Sequence, residues 1–335
     1  MRLNYLFLIC LFFANQSFAQ HTFSIVAVDT LTAEIGSAGA TCGDSIVWPG
    51  SKGAYVISEV IPGVGGIHAQ ALLDNRNKAN ARNEMLANKS PQQIIDWLII
   101  NDISGTPEVR QYGIVDYNAG SPRSASFTGD SCMDYKNHIT GSYYSIQGNI
   151  LLGQGILDSM EARFLRSSGC MGDRLMQALQ GANVAGADSR CLSEGTSSLS
   201  AFVRIAKPDD SANDLFLDIN VAGTGNGIEP IDVLQSRFDN WKLQNPSVCA
   251  NAPSSIPFSK AAPLQLKKHK DILELNFTSA GEYSLRILNL NAQIVFESSD
   301  LKQNNRIELS QLSTGLYSIQ VFDGSSLLHV QKMNF

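Results

Sequence analysis

The 335-residue sequence predicts an α+β fold followed by a separate, smaller β-sheet domain. Three observations carry this expectation. Strand-like and helix-like runs fall in groups along residues 22–244 instead of alternating strictly. A stretch rich in Ser, Asn and Ala, punctuated by Pro246, Pro253, Pro257 and Pro263, then interrupts the chain as a linker. Beyond it only short strand patterns occur, separated by Gly and Asn turns, which is the spacing of a small β-sandwich.

The chain opens with Arg2, an apolar block over residues 5–14 and the small-residue exit Ser17-Phe18-Ala19. These are the three parts of a secretory signal peptide, and the block is shorter than the about 20 apolar residues a membrane span needs. Cleavage after Ala19 and no transmembrane segment are expected. From Thr22 to Val28 the pattern alternates, with Phe23, Ile25 and Ala27 on one face and Ser24, Val26 and Val28 on the other, which predicts a strand. After a turn at residues 30–33, a second strand over residues 34–41 is built almost wholly from small residues, Gly36-Ser37-Ala38-Gly39-Ala40. Small residues there let another backbone or a ligand come close.

Helices follow. Ser90-Pro91-Gln92-Gln93 supplies a cap, a first-turn proline and a capping-box glutamine ahead of Ile94, Ile95, Trp97 and Leu98. Helical spacing recurs at Ile156, Met160 and Phe164, at Leu175 and Leu179, and at Ile231, Leu234, Phe238 and Trp241. Strand patterns lie at residues 110–116, 142–152, 198–205 and 215–221. Past the linker they recur at residues 272–277, 283–289, 293–297, 306–309, 316–322 and 327–332. The organisation expected is a signal peptide at 1–19, a main domain at 20–244, a linker at 245–262 and a β-sandwich at 263–335.

A net charge of −6 without a basic cluster speaks against a nucleic-acid partner. The short run Lys267-Lys268-His269-Lys270 reads as a solvated strand edge. Cys10 leaves with the signal. Cys42, Cys132, Cys170, Cys191 and Cys249 remain, odd in number and without a CxxC pair, so one or two disulfides and a leftover thiol are expected in an exported chain. No GxSxG, HExxH or GxxxxGK[ST] motif occurs. Gly223-Thr224-Gly225-Asn226-Gly227 has Ile228 where a dinucleotide loop needs its third glycine, and reads as a turn. The five histidines are scattered and show no ligand spacing, so neither metal nor cofactor is expected.

Thr22 is the informative residue. At the start of the first strand of the mature chain, a threonine combines a hydroxyl nucleophile with a general base in one residue, because a freed α-amine titrates near pH ~8 and can take the hydroxyl proton. The plainer reading makes Thr22 a β-branched strand starter.

The segments "HTFSIVAVD", "EIGSAGA", "GVGGIHAQA", "RQYGIVD", "ASFTGD", "YSIQGNILLG" and "GADSRC" resemble, in order and without large gaps from residue 21 to about residue 243, domain of unknown function family 1028, which is grouped by fold with the N-terminal nucleophile (Ntn) hydrolases. The resemblance implies a four-layer αββα sandwich. It implies no settled reaction, since fold does not dictate function. In cytoplasmic relatives threonine often follows the initiator methionine. Here the mature chain begins at Gln20, His21 or Thr22, and if Gln20 or His21 stays, a further cut is needed to free the Thr22 amine. Polar positions within the matching segments complete the candidate site: Gln70, Gln147 and Asn149 as amides able to face an oxyanion, and Asp188 with Arg190 as a pair able to orient a substrate carboxylate or amine. Each also has a structural reading, the amides as turn or backbone partners and the ion pair as a loop tie.

The segments Tyr283-Ser284-Leu285-Arg286-Ile287-Leu288-Asn289 and "LSTGLYSIQV", with the closing Val330-Gln331-Lys332, are similar to the type A sorting domain of the type IX secretion system of Bacteroidota. That implies a partner, the type IX machinery, and a route through the Sec pathway and then the outer membrane to the cell surface or medium. Two functions compete: a secreted amide- or peptide-bond hydrolase with Thr22 as nucleophile, and a catalytically silent surface protein that binds a small molecule or peptide.

Overall fold

The computed structural model describes residues 19–20, 22–46, 50–118, 120–225, 227–246, 264–269, 272–277, 283–289, 294–323 and 326–334. The expected signal peptide short of Ala19, His21, most of the expected linker, Cys10 and Cys249 lie outside them. In chain order the first part contains β1 (Ala19–Gln20), β2 (Thr22–Val28), β3 (Ile35–Thr41), β4 (Ser58–Ile61), β5 (Gly65–Leu72), α1 (Asn75–Leu86), α2 (Pro91–Ile100), β6 (Arg110–Asn118), β7 (Ser121–Thr128), β8 (Asn137–Thr140), β9 (Tyr144–Gly148), α3 (Gln154–Arg166), α4 (Met171–Gly181), β10 (Ser200–Ala206), β11 (Leu217–Val221) and α5 (Pro230–Gln244).

The strands form two sheets, one ordered β11-β10-β3-β2-β9-β8 and the other β1-β5-β6-β7 with β4 also on β5; every pairing is antiparallel. The outer face of the first sheet, including Phe23, Ile25, Ala38, Ala40, Val203 and Ile205, packs against Leu157, Met160 and Phe164 of α3, Leu175 and Leu179 of α4, and Ile231, Leu234 and Phe238 of α5. The second sheet places Ile67, Ala69, Tyr112 and Ile114 against Ala81 and Met85 of α1 and Ile94, Ile95 and Leu98 of α2. Between the sheets lie Val26, Val28, Ile35, Val60, Val115 and Ala206. This explains why β2 and β3 are buried at every residue although β2 alternates in character: both faces of the sheet are covered.

The capping box predicted at Ser90 is present, with Ser90 Oγ accepting from the Gln93 backbone N–H at 3.3 Å and Gln93 Oε1 accepting from Ser90 N–H at 2.9 Å. The α1 helix has no strong apolar stripe. Only Asn77, Ala81 and Met85 are buried, and Asp74 caps its first turn. After β11, Gly225 and Gly227 have φ of +78° and +76°.

The C-terminal part pairs β12 (Leu264–His269), β13 (Ile272–Phe277) and β16 (Asn304–Glu308) in one sheet, and β15 (Ile294–Leu301), β14 (Tyr283–Leu288), β17 (Leu316–Asp323) and β18 (Ser326–Asn334) in another. Both sheets contribute to one core, with Leu273, Leu275 and Phe277 from the first and Tyr283, Leu285, Ile287, Ile319 and Val321 from the second. Lys267, Lys268 and His269 sit on β12, at the edge of its sheet.

Candidate functional site

Antiparallel register builds the site. Side chains at cross-strand partners point to the same face, and period two puts every second residue of β2 between the sheets. One row across the inner face is therefore Ser200, Thr41 and Thr22. The next is Phe202, Gly39, Ser24 and Gln147, and the one after begins Arg204, Ser37, Val26 and Ser145. The facing sheet contributes the pairs Gln70–Gln111 and His68–Gly113. The inter-sheet layer is thus apolar at the end marked by Val28 and Ile35 and polar at the end marked by Thr22.

Thr22 is fully buried. Its carbonyl oxygen accepts from Gln70 Nε2 at 3.0 Å and from the Asn149 backbone N–H at 3.2 Å. Gln70 Nε2 also donates to Gln111 Oε1 at 2.8 Å, and Asn149 Nδ2 donates to the same oxygen at 2.9 Å. Gln111 Nε2 in turn faces Thr128 Oγ1 at 2.9 Å and the carbonyls of Gly148 at 2.9 Å and Asn137 at 3.1 Å. The chain ahead of Thr22 crosses between sheets: Ala19 and Gln20 pair with Leu72 and Ala71 of β5, whereas Thr22 begins β2 in the other sheet.

On the far side of Thr41 lies the ion pair. Asp188, wholly buried, accepts from Arg190 Nε at 3.0 Å and Nη2 at 2.6 Å, and from the Cys42 backbone N–H at 2.9 Å. Arg190 Nη2 also donates to Thr41 Oγ1 at 3.2 Å, and its side chain keeps 31% of its surface exposed. The Cys42–Cys191 disulfide fastens the end of β3 to this loop. Cys170 is also disulfide-bonded, and Cys132 is a buried free thiol pushed up to about 11 by burial.

The structure thus brings Thr22, Gln70 and Asn149 together, and sets Asp188 and Arg190 one strand away through Thr41. Gln147 stands apart, one row deeper. Its Nε2 donates to Ser24 Oγ at 2.6 Å and its Oε1 accepts from Ser145 Oγ at 2.5 Å, so its polar atoms are engaged within the sheet interface. The amides of Gln70 and Gln147 are engaged with protein atoms. Sequence reasoning missed Gln111, Ser24, Thr41 and His68. The signal was the period-two spacing of His68 and Gln70 in "GGIHAQA" and of Gln111 and Gly113 in "RQYGIVD", which places each pair on one strand face.

His68 is fully buried beside Ser24 and Ser37. Burial, reinforced by the charges of Lys78 and Arg204, lowers its pKa to about 3, so it is neutral in ordinary buffers. Among the described residues no group of His, Cys, Asp or Glu could hold a metal ion, and no helix is long and apolar enough to cross a membrane.

The model of the family of unknown function DUF1028 matches residues 22–230, and that of the secretion system C-terminal sorting domain matches residues 269–333. The crystal structure of a DUF1028-family protein from Silicibacter pomeroyi is similar over 66% of this chain and 89% of its own, at 21% identity and a TM-score of 0.52, a likeness of fold. A DUF3244-family protein from Bacteroides vulgatus with an immunoglobulin-like β-sandwich matches over 22% of this chain and 84% of its own at 15% identity and a TM-score of 0.20. No curated protein matches the sequence. With a sorting domain of this kind at its end, the protein is handled by the type IX secretion machinery and exported to the cell surface or medium. Since the family match covers more than half of the sequence, the chain belongs to the DUF1028 family.

Proposed function

We propose that the main domain is an extracytoplasmic Ntn-type hydrolase of amide or peptide-like bonds, with Thr22 as nucleophile. The observation that carries this reading is the position of Thr22: the family match begins at this residue, which starts β2 and has its carbonyl held by Gln70 and Asn149. The layer order, helices on either side of two stacked sheets, supports an αββα sandwich of the Ntn kind. In the reaction proposed, Thr22 Oγ bonds to the substrate carbonyl carbon while its proton passes to the α-amine. The C–N bond then breaks, the leaving amine takes that proton, and water hydrolyses the resulting ester. Arg190, held by Asp188, is proposed to orient the substrate, and Gln147 to support the site from the row behind. The residues ahead of Thr22 must first be removed, since its nitrogen is otherwise an amide without basicity.

A second reading, a silent binding protein, draws support from the complete burial of Thr22. The deciding experiment is intact-mass analysis of the secreted protein together with Thr22→Ala and Thr22→Ser. The hydrolase reading expects an amino terminus at Thr22, loss of amide hydrolysis in the alanine variant and partial retention in the serine variant. A terminus at Gln20 with hydrolysis unchanged by Thr22→Ala overturns it. The division of the chain into a domain ending near residue 244 and a separable domain from residue 263 is part of the same proposal. Truncation at Ala262 is expected to leave a soluble, cooperatively melting protein that does not cross the outer membrane.

A further inference from the structure

The polar groups between the sheets form a hydrogen-bonded chain with one direction, and backbone carbonyls set that direction. A carbonyl only accepts. Gln111 must therefore turn its NH₂ toward the carbonyls of Gly148 and Asn137, and Gln70 must turn its NH₂ toward the carbonyl of Thr22. That leaves Gln70 Oε1 facing Ser24 Oγ at 2.7 Å, so Ser24 donates its one hydrogen there. With this hydrogen committed, Ser24 Oγ can only accept from His68 Nδ1 at 2.9 Å, and Nδ1 carries the imidazole hydrogen. In a neutral ring Nε2 then accepts, and Ser37 Oγ at 2.6 Å donates to it. Ser37, its hydrogen spent, accepts from Ser58 Oγ at 2.8 Å, and Ser58 accepts from Arg204 Nη1 at 3.3 Å. Gln147 Nε2 completes Ser24 as a second donor, and its 3.1 Å approach to His68 Nδ1 is then a contact between two donors that both point at Ser24 Oγ. Every hydroxyl in the row donates toward Thr22.

We propose that His68 is held as the neutral tautomer protonated on Nδ1 and is a positioning residue of the Thr22 site, transmitting the order of Arg204, Ser58 and Ser37 through Ser24 and Gln70 to the Thr22 carbonyl. This rests on the proposed role of Thr22 for its functional meaning. The hydrogen on Nδ1 follows from the contacts, and the bare Nε2 from the burial that keeps the ring neutral. An apolar filling would serve stability at lower desolvation cost, as it does at the Val28 end of the same layer, whereas a satisfied polar row fixes one arrangement.

The test uses the full secreted chain labelled with ¹⁵N-histidine and with ¹³C,¹⁵N at glutamine and threonine. Long-range ¹H–¹⁵N correlation reads which ring nitrogen carries hydrogen, and His68 is identified by the signals lost in His68→Gln or, if that variant does not fold, by through-bond connectivity. A protonated Nδ1 and a bare Nε2, unchanged from pH ~5 to ~8, is the expected result. A hydrogen on Nε2 alone overturns the assignment because Nδ1 could not then donate to Ser24, and hydrogen on both nitrogens overturns it because Ser37 could not then donate to Nε2. For the coupling, Ser37→Ala is read at the Gln70 side-chain NH₂ and the Thr22 carbonyl, neither of which Ser37 touches. Side-chain amide exchange at Gln70 is expected to rise about tenfold, the equivalent of one ordinary hydrogen bond, and Ser37→Thr to restore it. Exchange and carbonyl shift both unchanged in Ser37→Ala overturn the positioning role. No readout uses a substrate, so this proposal and the hydrolase reading can each fail alone.

Discussion

Replacing Gln111 with leucine tests whether the polar layer is a fully satisfied network. The side chain is fully buried, and five polar contacts converge on it: Gln70 Nε2 and Asn149 Nδ2 donate to its oxygen, while the two hydrogens of its nitrogen are shared among Thr128 Oγ1 and the carbonyls of Asn137 and Gly148. Leucine keeps most of the volume and withdraws all five. Gln70 Nε2 retains the Thr22 carbonyl and Thr128 Oγ1 retains His138 Nδ1, so the damage falls mainly on the lost contact to Asn149 Nδ2 and on the Asn137 and Gly148 carbonyls. A buried polar group deprived of its partner costs about 1–3 kcal/mol, and partial relaxation makes a total loss of about 3 kcal/mol the expected result. For a domain of this size that is a fall in Tm of roughly 6–12 °C. Urea denaturation followed by circular dichroism should show a lower midpoint with an unchanged slope. Gln111→Glu should be at least as damaging, because it sets an oxygen against three acceptors. A loss below about 1 kcal/mol for leucine would refute the view that these atoms depend on Gln111.

Gly113 sits opposite Gln147, where a Cβ would overlap the side-chain amide, so Gly113→Ala should destabilise the domain by about 2 kcal/mol in the same urea assay. His68 has its pKa lowered to about 3 in the folded state against about 6.5 unfolded, so the unfolded chain takes up the proton first. Its contribution is fully present above pH ~6.5 and is lost as pH falls toward about 3, at up to about 1.4 kcal/mol per pH unit, and that component of the denaturation profile should vanish in His68→Gln. The Cys42–Cys191 disulfide spans a sequence separation of 149, for which the chain-entropy relation gives about 5 kcal/mol; Cys42→Ser with Cys191→Ser should lose several kcal/mol by calorimetry, and a loss under about 1 kcal/mol would show that the reduced chain stays ordered there.

Elements with strong local signals were legible without coordinates. The alternation of β2, the capping box before α2, and the apolar spacing of α3, α4 and α5 are short-range patterns, and the segment after the linker announced itself by its strand spacing. The α1 helix escaped because only three of its residues are buried and one of them is Asn77. The polar candidates Gln70, Asn149, Asp188 and Arg190 could be picked from the sequence as residue types with chemical capacity. Their partners could not, since Gln111 meets Gln70 across β5 and β6, and Thr41 meets Thr22 across β2 and β3.

What the sequence by itself determined is whatever depends on neighbours within a few residues: strand and helix periods, caps, turns, and the sorting domain that directs export. What only the tertiary structure decided is which faces meet. Two sheets with covered outer faces close on each other, and register then selects one apolar end and one polar end of the layer between them. The pairing of Cys42 with Cys191, the separation of Gln147 from Thr22, and the placement of His68 between Ser24 and Ser37 all follow from that closure. Each joins residues far apart in sequence through contacts of hydrogen-bond or covalent length, and no local pattern encodes a contact of that kind.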